Sequence, residues 1–369
     1  MKKTLVFAAV AATFASVAHA QSSVTLYGIV DAGFTYTTNI RGNNAFSMTS
    51  GNLQQSRWGL SGIEDLGGGA KAVFNLESGF DTMNGSTSST MFNRQSYVGL
   101  THRDYGTLTL GRQFDSVVDY VGPLTAVGTW GGTYTAHVLD NDNGNATFSI
   151  NNSIKYRSPN LSGFEFGGLY GFSNQTGFAN NRTYSFGASY QYDGLRVGAG
   201  YLQAQGMDLN PGGSVVGSPL AALDLNRRQR TWGAGANYKY GPLVGGVVFT
   251  QTRLNDAVNN SLRFNNIEGN VHYDLTPALG IGAMYTYTNV NGSDTVLHAN
   301  GSDSAHWHQF ALQADYALSR RTDVYLEGVG LWGAGENAVG LTQVSYTSAG
   351  GVSSSRNQGI VSTGIRHRF

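Results

Sequence analysis

Segment after segment of this chain alternates between apolar and small polar residues for about ten residues at a stretch. Across 182–193, Tyr184, Phe186, Ala188, Tyr190 and Tyr192 share one parity, while Thr183, Ser185, Gly187, Ser189 and Gln191 share the other. Across 231–240, Trp232, Ala234, Ala236, Tyr238 and Tyr240 oppose Thr231, Gly233, Gly235, Asn237 and Lys239. Leu279, Ile281, Ala283, Tyr285 and Tyr287 oppose Gly280, Gly282, Thr286 and Thr288; His308, Phe310, Leu312, Ala314, Tyr316 and Leu318 oppose Gln309, Gln313 and Asp315. A pleated strand sends successive side chains to opposite faces, so each segment has one greasy face and one wet face. Their length suits a tilted strand crossing a bilayer, about 9–11 residues. Aromatics gather toward the segment ends, as interfacial girdles require.

The last ten residues, IVSTGIRHRF, follow the same rule. Val361, Thr363, Ile365, His367 and Phe369 share one face, and Ser362, Gly364, Arg366 and Arg368 the other. A strand ending on an aromatic fits a closed barrel whose last strand pairs with its first. The first strand is read over Val24 to Thr37, with Val24, Leu26, Val30, Ala32 and Phe34 on one face.

Composition excludes the main competitors. The chain has 51 Gly, 20 Tyr and 18 Phe but only 12% charged residues, against roughly 25% for a soluble domain. With no Cys, disulfides cannot hold it together. Met1-Lys2-Lys3, the apolar Leu5 to Val17 and Ala18-His19-Ala20 fit an export signal over residues 1–20, cleaved after Ala20. Beyond it no apolar run reaches the length of a spanning helix, about 20 residues. Losing Lys2 and Lys3 leaves 21 basic against 23 acidic residues, a net charge of about −2. That is no footprint for nucleic acid.

Turn signals pair the segments into hairpins. Short breaks fall at Leu66–Gly69, Asp104–Gly106, Pro159–Gly163, Asp193–Gly194, Gly241–Pro242, Thr276–Pro277 and Ser319–Thr322. Longer polar stretches alternate with them at 38–52, 81–91, 115–146, 174–181, 207–228, 255–263, 291–303 and 335–356. The count gives an all-β, antiparallel up-and-down transmembrane barrel of about 16 strands, occupying residues 21–369 as one domain.

Several short motifs resemble the general porins of Gram-negative bacteria. They are Val24-Thr25-Leu26-Tyr27-Gly28 with Asp31-Ala32-Gly33, Ser56-Arg57-Trp58-Gly59, and Tyr97-Val98-Gly99-Leu100. Leu110-Gly111-Arg112-Gln113, Tyr316-Ala317-Leu318-Ser319-Arg320-Arg321-Thr322 and Gly364-Ile365-Arg366-His367-Arg368-Phe369 resemble the beta-proteobacterial branch. The resemblance implies an outer-membrane homotrimer, in contact with outer-membrane lipid, that passes ions and small hydrophilic solutes by diffusion. It also implies an infolded third extracellular loop facing a basic wall, and a carboxyl-terminal pattern, ending in Phe369, that the outer-membrane insertion machinery reads.

On that pattern 115–146 is the infolded loop, with Thr129, Trp130 and Thr133 at its tip. Arg57 and Arg94 have lumen parity on the second and fourth strands and form the basic wall. The family's third wall arginine falls near Ser149, a departure, for which Lys155 and Arg157 on the lumen wall compensate in part. Thr129 and Thr133 stand where a strongly polarised constriction carries carboxylates, and Asp140 and Asp142 lie further along. The expectation is therefore a weakly charged constriction with a mild anion preference. Arg112 is assigned to subunit packing.

Other signals carry less. His306 and His308 share a face, but beside Trp307 they read as interfacial residues. Asp140-Asn141-Asp142-Asn143-Gly144 lacks the glycine position and the Glu of a calcium loop. Gly67-Gly68-Gly69 is a turn without the Lys-Ser or Lys-Thr of a phosphate loop. No catalytic residue, metal or cofactor is expected. A substrate-specific channel for a sugar or an anion would line its path with an aromatic track, whereas aromatics here fall mainly on lipid parity. An adhesin on a structural barrel would pass no current. A barrel hydrolase would need a nucleophile, a base and an orienting carboxylate in mutual reach, and no such set stands out.

Overall fold

The computed structural model describes residues 22–87, 90–209, 211–217, 227–256, 260–293, 304–335, 338, 342–344 and 351–369. The expected export signal lies outside them. The strands are β1 (Ser23–Ile40), β2 (Asn43–Ser50), β3 (Arg57–Gly67), β4 (Ala70–Gly79), β5 (Gln95–His102) and β6 (Gly106–Gln113). After a short helix, α1 (Ser116–Tyr120), come β7 (Ile150–Arg157), β8 (Phe164–Gly171), β9 (Thr183–Tyr192), β10 (Leu195–Gln205) and β11 (Arg228–Tyr240). The remainder are β12 (Leu243–Asn255), β13 (Ser261–Asp274), β14 (Leu279–Ser293), β15 (Ser304–Ala317), β16 (Thr322–Ala334) and β17 (Asn357–Arg368).

Each strand pairs antiparallel with its neighbour, and β17 returns to β1 from Ile29↔Arg368 to Thr37↔Ile360. β2 and β3 both pair with β1, over its loop end and its turn end respectively. They are two halves of one crossing, interrupted at 51–56, so the barrel has 16 spanning strands. Closure satisfies the backbone groups that an open edge would leave bare in lipid. Phe369 completes it: its N–H donates to Gly28 O and its carbonyl accepts from Gly28 N, both at 3.1 Å. Its ring lies over Gly28, where a Cβ would sit 2.4 Å from it.

The alternation read from sequence holds around the ring. Val247, Ile267, Phe310, Leu312, Leu326 and Ile365 are exposed on the outside, while Thr231, Glu268, Thr286, Gln309 and Ser362 are buried on the inside. The seven short breaks are all tight turns between consecutive strands. The stretch 38–52 is not a long loop: β1 runs to Ile40 and β2 starts at Asn43. Left-handed Asn39 and Arg41 with Gly42 at φ 92° close that turn, and the outward Tyr36 and Phe46 rings pack across it, tilted by 39° with centroids 4.6 Å apart. Likewise β12 and β13 extend to Asn255 and from Ser261, shortening the expected 255–263 loop. Polar strand residues at a wet rim look like loop in sequence because neither face there needs to be apolar.

The segment between β6 and β7 folds into the lumen. Asp115 caps α1, its Oδ1 accepting from Val117 N at 2.7 Å. Val117, Val121, Leu124 and Phe148 pack with Leu202 and Val248 of the inner wall. Glycine on lumen parity makes this possible: a Cβ on Gly198 would lie 2.2 Å from Tyr120 O, inside its backbone. Further along, Ala126, Tyr134 and Val138 pack with Leu254, Leu262, Phe264 and Met284. The loop thereby fills one side of the lumen, with Ile150 of β7 and Leu169 of β8 in the same apolar cluster.

Candidate functional site

Arg57 opens β3 with its side chain directed into the lumen, next to outward Trp58. Its Nε lies 3.6 Å from Glu77 Oε2 on β4, and its Nη1 donates to Gln55 O at 3.1 Å. Arg94 sits immediately before β5 rather than on it; its Nε donates to the other Glu77 oxygen at 2.7 Å, and its Nη1 reaches Gln55 Oε1. The two arginines are thus brought together, but they are not isolated, as parity alone suggested. They share one carboxylate, which leaves a net charge of about +1 at this spot. Tyr27 donates to Glu77 and Asn75 from β1. A polar cavity opens beside them, lined by Gln55, Asn93, Thr133, Asn145 and Thr147 among others.

The infolded loop carries Thr129, Trp130 and Thr133, and Thr133 lines the same cavity as Gln55 and Asn93. Thr129 is exposed to the lumen, its hydroxyl donating to Thr125 O at 2.7 Å. Trp130 stacks on His272 at 6.3 Å and covers Gly282, whose Cβ would meet its ring at 2.2 Å. Thr133 bridges to the β2–β3 break: its N–H donates to Asn52 O and its hydroxyl to Gly51 O. Ser149 donates to Arg94 O at 2.7 Å, so the position expected for a third arginine adjoins the Arg94 backbone and holds a neutral residue.

Lys155 and Arg157 do not supplement the charge. Lys155 pairs with Asp119 of α1 and donates to Phe114 O at 2.9 Å, anchoring the loop's entry. Arg157 pairs with Glu165 of β8 at 2.5 Å. Arg112 sits at a bulge between Gly111 and Gln113, donating to Asn93 O at 2.8 Å and to Asn151 within the same barrel.

The loop is held by groups that sequence reading passed over. Glu268 on β13 accepts from Ala126 N at 2.7 Å and from Asn270 Nδ2 at 2.6 Å. Its other oxygen lies 3.0 Å from His137 Nε2, and His137 Nδ1 lies 2.6 Å from Asp142 Oδ2. Glu327 on β16 accepts from Gly132 N at 2.7 Å, while Asp31 on β1 holds the β2–β3 break, accepting from Leu53 N and Gln54 N at 2.7 and 2.8 Å. The carboxylates of Asp140 and Asp142 are buried rather than turned to the lumen. Asp142 also accepts from Thr250 at 2.6 Å, and Asp140 accepts from Asn145 N at 3.0 Å. The only sequence signal for these anchors was a carboxylate of lumen parity among Gly, Ser and Thr.

Burial shapes their ionisation. It pushes Asp115 up to about 6, and with the Asp142 charge does the same to Asp140. For His137, burial alone would favour the neutral ring, but Asp142 and Glu268 on either side raise it well above 6.5. Asp142 is held below 3.8: burial opposes this, and His137 outweighs it. Among the described residues no cluster of His, Cys, Asp and Glu has the arrangement of a metal site. His306 and His308 face outward with Tyr285 and Tyr287, His308 Nδ1 lying 2.7 Å from Tyr285 OH.

The barrel has counterparts in known proteins. An outer membrane porin protein of Bordetella pertussis is 31% identical over 100% of both chains, and outer membrane porin protein 32 of Delftia acidovorans is 30% identical over 100% of both. The anion-selective porin from Comamonas acidovorans superposes with a TM-score of 0.77 at 24% identity, over 95% of this chain and 100% of its own. Residues 7–329 match the Gram-negative porin family. With a closed barrel of lipid-facing strands and a loop that narrows a wet lumen, the chain belongs to that family, an outer-membrane channel of Gram-negative bacteria.

Proposed function

We propose that this channel passes small hydrophilic solutes by diffusion with a mild preference for anions, through a constriction formed by Arg57 and Arg94 on one side and Thr129, Trp130 and Thr133 on the other. The observation that carries the reading is the shared Glu77: two guanidinium groups against one carboxylate, facing a loop tip without charge. In a narrow lumen with low-dielectric walls even a single excess charge is felt by a passing ion. The anion selectivity named for the Comamonas porin supports the sign. Pairing of Lys155 with Asp119 and of Arg157 with Glu165 keeps that preference mild.

The same reading takes residues 1–20 as a cleaved signal, Phe369 as part of the assembly signal for the insertion machinery, and the working unit as a homotrimer; a trimer form is known for the Vibrio cholerae OmpT, a structural neighbour at 15% identity. It includes no enzyme activity, in keeping with porin relatives. Liposome swelling is the test. Uncharged sugars should enter at rates that fall smoothly with size, and a monovalent organic anion should enter faster than a cation of equal size. Saturable uptake of one sugar, or faster entry of the cation, would contradict the proposal.

A further inference from the structure

The outer faces of β11 to β13 change character near the loop end. Trp232, Val247 and Ile267 are exposed there on the apolar band, and the Trp232 and Phe249 rings pack at 5.1 Å. A few residues further along, on the same outward parity, stand Arg228 and Arg230 of β11, Arg253 of β12 and Arg263 of β13. The register places Arg230 opposite Arg253 and Arg253 opposite Arg263, a row across three adjacent strands. Directly opposite side chains start about 4.5–5.5 Å apart at Cβ, and like charges in such positions repel.

Nothing within the described residues relieves that repulsion. No ion pair joins any of these arginines to a carboxylate. The Nε atoms of Arg228, Arg230 and Arg253 are buried without a hydrogen-bond partner; Arg253 Nη2 reaches only Ser261 Oγ, at 3.4 Å. Guanidinium groups bind phosphate through a planar fork, and basic clusters beside a bilayer recognise lipid headgroups. We propose that the Arg230–Arg253–Arg263 row, with Arg228 beside it, binds phosphate groups of an outer-leaflet lipid. The row opens outward directly above lipid-facing aromatics, so a phosphate anchored by its own acyl chains arrives at the right height. The proposal rests on the barrel spanning a membrane with its loop end outward.

The test uses the full-length folded protein immobilised in zwitterionic detergent, with diphosphorylated lipid A, the same lipid stripped of phosphate, and inorganic phosphate as probes. The wild type should hold the phosphorylated lipid about tenfold or more tightly than the stripped one, the scale of one or two charge-assisted hydrogen bonds. Inorganic phosphate at equal concentration should not displace it. The variant R230Q/R253Q/R263Q should lose the discrimination while keeping wild-type single-channel conductance. Equal binding of both lipids by the wild type, a result that needs no variant, would overturn the proposal, as would displacement by inorganic phosphate or discrimination surviving in the triple variant. Insertion into planar bilayers, read as channel formation, tests the spanning geometry separately.

Discussion

Replacing Glu268 by Ala should loosen the infolded loop without unfolding the barrel. Glu268 is 1% exposed and serves three partners at once: Ala126 N, Asn270 Nδ2 and His137 Nε2. Its removal strands the Ala126 amide, worth about 1–3 kcal/mol, and leaves the His137 ring with a single buried counter-charge, Asp142. Breaking one partner out of a buried ion pair costs about 3–5 kcal/mol. The two costs overlap, and lumen water can enter, so about 3 kcal/mol is the working figure. At 1.4 kcal/mol per decade this lowers protection of the amides from Ala126 to Asp142 by about 100-fold. Hydrogen exchange read by mass spectrometry resolves that change, with strands β3 to β6 as the internal control. Glu268→Gln retains acceptors for Ala126 and loses only the charge, so its effect should be smaller. Wild-type exchange in the Glu268→Ala loop would refute the claim that this carboxylate anchors it.

Loop docking should also depend on pH. Asp142, lowered, and His137, raised, contribute fully between their ordinary values of 3.8 and 6.5; that contribution fades as pH falls through the lowered Asp142 value or rises through the raised His137 value. Asp115 and Asp140, raised to about 6, cost docking above that pH and cease to as pH falls toward 3.8, so loop exchange, corrected for its intrinsic rate, should be slowest near pH 4–6 and faster on both sides. Gly282→Val should displace the Trp130 ring that now occupies the space of its side chain, changing single-channel conductance while leaving the barrel folded, as circular dichroism would show. Deleting Phe369 removes two hydrogen bonds to Gly28, about 1 kcal/mol each, and an interfacial ring worth about 1.5–3 kcal/mol. Refolded truncated barrel should melt near normally, yet the truncated protein should fail to reach the outer membrane in cells, which fractionation measures.

The strand alternation, the seven tight turns and the closure of β17 on β1 were legible because lipid on one side and water on the other impose a period of two on every crossing. The rim was not: around 38–52 both faces are wet, so Thr38, Asn39 and Asn44 carry no parity signal and a long hairpin read as loop. For the proposed constriction, parity put Arg57 and Arg94 on one face, and the structure brings both to Glu77. Parity could not show Glu77 between them, because which residue of β4 faces which of β3 depends on register, here Arg57↔Gly79 and Gly59↔Glu77. The partner of Arg157 was hidden for the same reason, and those of Lys155 and Arg112 because Asp119 and Asn93 lie outside the strands. His137, Glu268 and Glu327 were invisible as anchors, since sequence separations of 131 and 195 residues give no local pattern.

The central claim is that two arginines and one shared glutamate set the ionic preference of the constriction, and the zero-current potential across a KCl gradient measures it directly. Wild-type protein should show a modest anion-selective potential. Glu77→Gln should make it larger, and R57Q/R94Q should carry it past neutrality toward cations. An R57Q/R94Q channel with the wild-type potential would place these side chains outside the path of the ions and contradict the account.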